Sequence, residues 1–164
     1  MSHVRTGILF VCLGNICRSP LAWGVFRHQA RERGVLDRFD VESCGTGGWH
    51  AGNGADPRSV AVALRRGIPL DHVARQLNPA SDFDRFSLVI PMDRANRTDL
   101  LRLGAKPERV RLMRSFDPTA QPINGEAPDV PDPYYGGEDG FEKVYEMLER
   151  ACTGLLKEAL ATRR

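Results

Sequence analysis

A short apolar run near the start of the chain, followed closely by a helix start, constrains the fold more than any other feature. Residues 8–11 read Ile-Leu-Phe-Val without polar alternation, which is typical of a strand buried on both faces of a parallel sheet. A Gly14-Asn15 turn follows, and Ser19-Pro20 is a favourable helix start because proline is preset for the first helical turn. The pattern therefore predicts a strand–loop–helix unit.

Predicted strands and helices continue to alternate along the chain. Further strands are predicted at residues 40–43, 87–91 and 110–113, and helices at 19–34, 57–66, 94–103 and 141–160. The Gly-rich segment 44–57 and the Pro/Gly-rich segment 117–139 are predicted to be loops. We therefore expect a single α/β domain over residues 1–164, with a Rossmann-like, four-stranded parallel sheet and helices on both faces. Ligands of such sheets bind beyond the carboxyl ends of the strands.

Composition narrows the class of protein. A chain of 164 residues buries a sufficient core without metal or disulfides, and a net charge of +2 is too small to predict nucleic-acid binding. We find no apolar run of membrane-spanning length and no signal peptide, so we expect a cytoplasmic protein without a membrane partner. Export by a route that needs no signal peptide is compatible with the sequence. Four cysteines do not form a disulfide framework and fit a reducing compartment; they are Cys12, Cys17, Cys44 and Cys152.

The loop after the first strand has the residues of an oxyanion site. A helix start offers unpaired N–H groups and the positive end of the helix dipole, and the Gly-Asn turn allows several N–H groups to converge. This field favours the thiolate form of Cys12, to which Ser19 can donate a hydrogen bond. Arg18 closes the loop with a planar fork that suits two phosphoryl oxygens. The predicted phosphate-binding loop consists of Leu13, Gly14, Asn15, Ile16, Cys17, Arg18 and Ser19.

This loop differs from a nucleotide-binding loop. The pattern GxxxxGK[ST] is absent, and so is a lysine for the terminal phosphates of a nucleotide. The sequence also has no cluster with metal-ligand spacing, so we predict neither a metal nor a cofactor. The chemistry expected is phosphoryl transfer to Cys12, with Arg18 stabilising the equatorial oxygens.

The run VCLGNICRSP resembles the signature of the low-molecular-weight protein tyrosine phosphatases. The similarity continues through VESCGTGGWHAG, ADPRS, DHVARQL, PMDRAN and PDPYYGG, and VRLMRSFDP is similar to actinobacterial members. The resemblance implies a phosphotyrosine phosphatase I-like fold and hydrolysis of phosphotyrosine in proteins through a cysteinyl-phosphate at Cys12. Aromatic residues at the rim of such a pocket can pair in weak dimers that block the site, so we expect a monomer or a weak dimer.

A general acid is needed at the leaving oxygen, and Asp132 is the candidate. It lies between two prolines in PDPYYGG, and it would later, as a carboxylate, activate the hydrolytic water. Asp129 is a nearby competitor outside the matched motif. Aromatic residues around the phosphate loop would form a slot for a phenyl ring, as the resemblance also implies. The predicted pocket residues are Leu13, Trp49, Tyr134 and Tyr135.

Further roles are implied by the resemblance alone. Asn15, Ser43 and His72 match family residues whose hydrogen bonds, together with that of Ser19, hold the phosphate loop in shape. Cys17 is either a buried filler beneath the loop or, as the resemblance implies, the partner in a reversible disulfide that protects Cys12 from overoxidation.

The sequence departs from the family pattern at one position, and three alternative functions are compatible with parts of it. Trp23 stands where most relatives carry an acid, and it can pack inside or face a partner. Arsenate reductases of the same fold need further cysteines on a nearby segment, and protein-arginine phosphatases tend to carry threonine at the position of Ile16. A non-catalytic phosphotyrosine-binding module would be expected to have lost Cys12 or Asp132.

Overall fold

The apolar run forms the central strand of a parallel sheet in a computed structural model, which describes residues 4–162 apart from the side chain of Glu138. Within these residues the sheet has three strands, in the order β2-β1-β3. They are β1 (Thr6–Cys12), β2 (Phe39–Gly45) and β3 (Leu88–Pro91). Pairing brings Cys12 beside Gly45 and Val11 beside Pro91, so the carboxyl ends of the three strands lie together.

Five α-helices lie between and after these strands in the part of the chain described. They are α1 (Arg18–Glu32), α2 (Pro57–Leu64), α3 (Pro79–Arg85), α4 (Arg94–Arg102) and α5 (Glu138–Ala161). Short 3₁₀ turns occur at Leu36–Arg38, Pro107–Arg109 and Met113–Phe116. None of the helices in residues 4–162 combines the length and the apolar character needed to cross a bilayer.

The sheet separates two apolar layers, which confirms that helices cover both faces. Ile8 and Phe10 point into the layer that contains α1 and α5, while Leu9 and Val11 point to the opposite layer. There they meet Phe86 and Leu100, the latter from α4. Side chains alternate across a strand, so β1 needs apolar residues at every position, and this explains the unbroken run in the sequence.

The prediction of a fourth strand at residues 110–113 is wrong. Val110 forms a single parallel bridge with Val89, and the Arg111 N–H donates to the Val89 carbonyl at 3.1 Å. The 3₁₀ turns at Pro107–Arg109 and Met113–Phe116 leave too few extended residues between them for a ladder. The segment therefore lies where a fourth strand would lie, but it pairs with β3 through a single β-bridge.

Helix α3, which is not among the predicted helices, follows the loop after α2. Asn78 caps it by accepting a hydrogen bond from the Ala80 N–H at 3.2 Å, and Pro79 occupies its first turn. This is a standard start signal, but the helix has only seven residues and a weak apolar periodicity. The Gly-rich segment 44–57 and the segment 117–139 are irregular for most of their length, as predicted.

Candidate active site

The side chain of Cys12 ends β1 and lies at the floor of the loop that leads into α1. Its sulfur is 2.9 Å from the Ser19 hydroxyl, and the Asn15 N–H donates to it at 3.3 Å. The Asn15 side-chain amide donates to the Ser19 oxygen at 2.8 Å, and the Ser19 hydroxyl has a second acceptor in the Cys44 carbonyl at 3.4 Å. The sulfur thus has two polar neighbours within hydrogen-bond distance, the Asn15 N–H and the Ser19 hydroxyl.

Asn15 is the residue that shapes the loop. Its backbone is left-handed, with φ 59°, a conformation that asparagine tolerates better than most residues. Its amide also donates to the Ser43 hydroxyl of β2 at 3.0 Å, and its carbonyl oxygen Oδ1 accepts from the Arg75 N–H at 2.9 Å. The side chain is completely buried, so each of these bonds replaces a bond to water.

His72 supports the same loop from outside. Its Nε2 lies 3.1 Å from the backbone oxygen of Asn15, and because a carbonyl only accepts, Nε2 carries the hydrogen. Burial lowers the pKa of His72 despite this bond, so the ring is neutral at neutral pH. The Trp23 ring packs 5.7 Å from it, and Trp23 Nε1 donates to the Val41 carbonyl at 3.2 Å. Trp23 is thus part of the packing under the loop.

Arg18 begins α1 and is held rigidly. Its Nη1 donates to Asp93 Oδ2 at 2.6 Å and to the Val130 carbonyl at 3.0 Å. Burial lowers the pKa of Arg18, but the negative charges of Cys12, Asp93 and Asp132 outweigh that effect and raise it. The guanidinium is therefore permanently charged, and its Nε and Nη2 donors remain for an oxyanion.

Asp132 faces this guanidinium from the loop before α5. Its Oδ2 lies 3.7 Å from Arg18 Nη2, and its Oδ1 accepts from the Tyr134 N–H at 3.0 Å. The side chain is 43% exposed, so it can reach a ligand from the open side of the loop. Asp129, the competitor in sequence, instead accepts from the backbone N–H and Nε of Arg94, at 3.0 and 3.3 Å.

The sulfur, the guanidinium and the carboxylate open onto one cavity of about 280 Å³. Aromatic and apolar side chains form its walls, and Trp49 and Tyr135 at its rim are 72% and 95% exposed. Its lining residues are Cys12, Leu13, Gly14, Ile16, Cys17, Arg18, Trp49, His50, Asp132, Tyr134 and Tyr135. The cavity thus combines an anion site at its base with a slot for a flat ring.

Comparison with known proteins agrees with this geometry. The family model described as "Low molecular weight phosphotyrosine protein phosphatase" matches residues 7–164. The chain belongs to this family. A low molecular weight protein-tyrosine-phosphatase of Streptomyces coelicolor is 51% identical over 152 residues, which cover 91% of this chain and 90% of the relative. The resemblance to actinobacterial members is thereby confirmed.

Solved structures of the same fold include two with different named activities. A protein tyrosine phosphatase from Entamoeba histolytica superposes with a TM-score of 0.88 at 35% identity, covering 97% of this chain and 99% of that one. An arginine phosphatase of Drosophila gives a TM-score of 0.82 at 26% identity, covering 93% and 96%. The α/β fold with a parallel sheet is therefore that of the family, although the sheet described has three strands instead of the predicted four.

Two residues at the site of this family member were missed in the sequence. Asp93 anchors Arg18, and its other oxygen caps α4 by accepting from the Asn96 N–H at 2.7 Å. Its signal in the sequence is its place two residues after β3, at the same edge of the sheet as Cys12. His50 packs its ring against Gly14, where a Cβ atom would lie 3.0 Å from the imidazole. A histidine in a Gly-rich loop gives no comparable signal.

Cys17 is buried at the back of the same cavity. Burial raises the pKa of its thiol to about 12, and the charges of Asp56 and Cys12 add to this effect. It is therefore a neutral thiol at neutral pH. The other two cysteines, Cys44 and Cys152, are fully buried in β2 and α5 and do not line the cavity.

Proposed function

We propose that this protein hydrolyses phosphotyrosine in proteins through a cysteinyl-phosphate at Cys12. The observation that carries the proposal is the convergence of three groups on one cavity: the Cys12 sulfur, the Arg18 guanidinium and the Asp132 carboxyl. They supply a nucleophile, a clamp for the phosphoryl oxygens and a proton donor, which is the set that phosphoryl transfer to a thiolate needs. Membership of the family supports the same reaction.

In the first step the Cys12 thiolate attacks phosphorus opposite the tyrosyl oxygen. The S–P bond forms as the P–O bond to tyrosine breaks, and Arg18 holds two equatorial oxygens as their charge shifts. Asp132 donates its proton to the leaving tyrosyl oxygen, so that the product is a neutral phenol. Its anchor on the Tyr134 N–H and its exposure on the cavity side suit this task.

In the second step a water molecule attacks the cysteinyl-phosphate. Asp132, now a carboxylate, accepts a proton from this water, the S–P bond breaks and inorganic phosphate leaves. The Ser19 hydroxyl lies 2.9 Å from the Cys12 sulfur, and it can donate to the thiolate and stabilise it as it is released. No further group is required by the balance of protons in these two steps.

The walls of the cavity favour a phenyl ester over other phosphorylated residues. Ile16 and Leu13 are apolar lining residues, and they suit a ring better than the polar guanidinium of phosphoarginine. A phosphoserine side chain is too short to reach the bottom of a slot walled by Trp49 and Tyr134. Arsenate reduction is disfavoured because neither Cys44 nor Cys152 lines the cavity.

The proposal also covers the cellular compartment of the protein, its partners and its oligomeric state. All four cysteines of the chain are free and buried, which supports a reducing compartment such as the cytoplasm. Its partners would be phosphotyrosine-containing proteins. Trp49 and Tyr135, exposed at the rim, could pair in a weak dimer, although the protein would act as a monomer.

A substrate panel tests the proposal. The purified protein is assayed on peptides with phosphotyrosine, phosphoarginine or phosphoserine, and on arsenate with a thiol reductant. We expect hydrolysis of the phosphotyrosine peptide, none in Cys12→Ala, and a loss of roughly 10²- to 10⁴-fold in Asp132→Asn. Asp132→Asn is chosen because its amide oxygen still accepts from the Tyr134 N–H.

Asp129→Asn is the matched control, because Asp129 lies in the same loop but pairs with Arg94. It should retain most of the activity. Activity that survives Cys12→Ala, or phosphoarginine hydrolysis faster than phosphotyrosine hydrolysis, would refute the assignment.

A further inference from the structure

The loop that carries Asp132 is tied to the phosphate loop by a residue pair outside the reacting groups. Asp56 lies directly before α2, and it caps this helix by accepting from the Arg58 N–H at 2.8 Å. Its own N–H donates to the Ile16 carbonyl at 2.8 Å, so Asp56 is fixed to the phosphate loop. Ser59 adds a second link by donating to the Cys17 carbonyl at 3.2 Å.

The Asp56 carboxylate holds the guanidinium of Arg58. Arg58 Nε and Nη2 donate to its two oxygens at 3.1 and 3.0 Å. Asp56 is only 8% exposed, and burial raises its pKa, but the hydrogen bonds from Arg58 outweigh this and lower it. The carboxylate is therefore ionised, and the pair has the planar two-bond geometry that fixes an arginine in one orientation.

The remaining donors of Arg58 reach across to the acid loop. Nη2 donates to the Tyr134 carbonyl at 2.9 Å and Nη1 donates to the Gly136 carbonyl at 3.3 Å. The guanidinium also lies 4.5 Å from the centre of the Phe141 ring in α5. Arg58 thus contacts the loop on the carboxyl side of Asp132, at its backbone and at the helix that follows.

Asp132 itself has few anchors. Its side chain contacts Arg18 and the Tyr134 N–H, and both Asp132 and Tyr134 are exposed. A general acid must lie within hydrogen-bond distance of the leaving oxygen, and a displacement of about 1 Å can cost roughly 100-fold in rate. Something other than Asp132 must therefore set the distance between its loop and Cys12.

We propose that Asp56 and Arg58 form a clasp that positions Asp132 over the phosphate loop, so that Arg58 is a positioning residue of the reaction. This inference rests on the proposed function, because it requires Asp132 to be the acid. The clasp joins the two halves of the site directly, from the Ile16 carbonyl through Asp56 and Arg58 to the Tyr134 carbonyl. Arg58 acts through Asp132 and does not touch the reacting atoms.

The test uses two aryl phosphates whose leaving groups differ in basicity. Phenolate needs a proton to leave and p-nitrophenolate hardly does, so a misplaced acid slows phenyl phosphate more than p-nitrophenyl phosphate. Arg58→Met keeps an apolar stem against Phe141 but removes the hydrogen bonds. We expect it to lower kcat/KM for phenyl phosphate by roughly 10-fold or more, and for p-nitrophenyl phosphate by about threefold or less.

A double-mutant cycle with Asp132→Asn separates positioning from general damage. A residue that acts through Asp132 has no further effect once the acid is gone, so Arg58→Met should cost almost nothing in the Asp132→Asn background. Arg58→Lys keeps the charge but not the fork, and it should give an intermediate loss on phenyl phosphate. It also serves as the test variant if Arg58→Met does not fold.

Arg65→Met is the matched control, because Arg65 follows the same helix and pairs with Glu142 of α5. It should slow both esters equally and slightly. An equal loss on both esters in Arg58→Met, or a full loss that persists in the Asp132→Asn background, would overturn the clasp and leave the function intact. If Asp132→Asn has no effect on either ester, the assignment of the acid fails, and the clasp falls with it.

Discussion

Cys17 shows how one side chain can share a catalytic loop and yet differ in reactivity from its neighbour. It is buried, and its thiol stays protonated because burial and the charges of Asp56 and Cys12 raise its pKa to about 12. An oxidant that enters the cavity would therefore react at Cys12, which is held by donors to its sulfur, and would leave Cys17 reduced. Cys17 would then be a reduced cysteine in the same loop as an oxidised Cys12, and it must lose its proton as it attacks.

We expect a reversible Cys12–Cys17 disulfide after mild peroxide treatment. Peroxide converts the Cys12 thiolate to the sulfenic acid, the Cys17 sulfur attacks it, and water leaves as the S–S bond forms. The measurement is the fraction of initial activity that dithiothreitol restores after peroxide has removed it. Wild type should recover most of its activity and Cys17→Ser much less, each relative to its own starting rate. Equal recovery in both proteins would contradict this role of Cys17.

At the scale of secondary structure, the longest helix depends on one glycine. Gly154 lies in α5 against the 3₁₀ turn Met113–Phe116, and a Cβ atom at this position would lie 1.9 Å from the Phe116 carbonyl oxygen. A helix interior normally favours alanine over glycine by about 1 kcal/mol. Here the close approach of two backbones reverses the preference, because the contacting atom is a carbonyl that cannot rotate away.

Gly154→Ala should accordingly destabilise the protein. Forcing α5 away from the turn costs about 1–3 kcal/mol by the usual effect of overpacking, and this exceeds the gain in helix propensity. The measurement is the free energy of unfolding from urea denaturation. Thr153→Ala, next to it on the exposed side of α5, is the control and should change the free energy by about 0.5 kcal/mol or less. A Gly154→Ala protein that is more stable than wild type would refute the argument.

Secondary structure and site differ in how far local sequence predicts them. The β1–loop–α1 unit was predicted from adjacent residues because Cys12, Asn15, Arg18 and Ser19 act within one segment. The prediction of a strand at residues 110–113 is wrong because apolar content cannot show that the flanking 3₁₀ turns leave only three residues, 110–112, between them. Asp93 and the clasp residues bind atoms that are far away in sequence, and only the fold reveals those partners.

Resemblance to the family supplied what the residues alone did not. Asn15, Ser43 and His72 were expected around the loop on that basis, and the structure brings their hydrogen bonds together there. The resemblance does not predict which residues Trp23 contacts, because most relatives carry a different residue at this position. The contact of Trp23 with His72 depends on the packing of α1 beside the loop of residues 72–75.

Over the whole molecule, buried titratable groups set the pH range of stability. His72 has a lowered pKa in the folded protein, so below about pH 6.5 its ring binds a proton in the unfolded chain more readily than in the folded protein. The free energy of unfolding therefore falls as the pH drops below this value. Asp56 and Asp117 also have lowered pKa values, and their stabilisation is lost as the pH falls below 3.8. On the alkaline side, burial raises the pKa of Cys17, Cys44 and Cys152 above the ordinary value of 9.0. The unfolded chain releases these protons first, so stability falls as the pH rises through 9.

The free energy of unfolding should therefore be greatest between about pH 6.5 and 9. Urea denaturation at pH 5, 7.5 and 10, with a reductant present, measures it. The pH value of 10 is one unit above the ordinary thiol pKa of 9.0. Each buried thiol should therefore lower the free energy of unfolding by roughly 1.4 kcal/mol at this pH. Cys152→Ala should show a smaller fall between pH 7.5 and 10, whatever its absolute stability. A wild-type free energy that does not change over this interval would refute the attribution to buried thiols.

The bonds of Asn15 also determine when the phosphate loop takes its shape during folding. Its partners Ser43, His72 and Arg75 lie 28, 57 and 60 residues further along the chain, so they arrive only after long loops have closed. Contacts between distant residues form slowly, while α1 can gain helical turns early. A chain that is still emerging from the ribosome can thus contain much of its secondary structure before it has a loop able to bind phosphate.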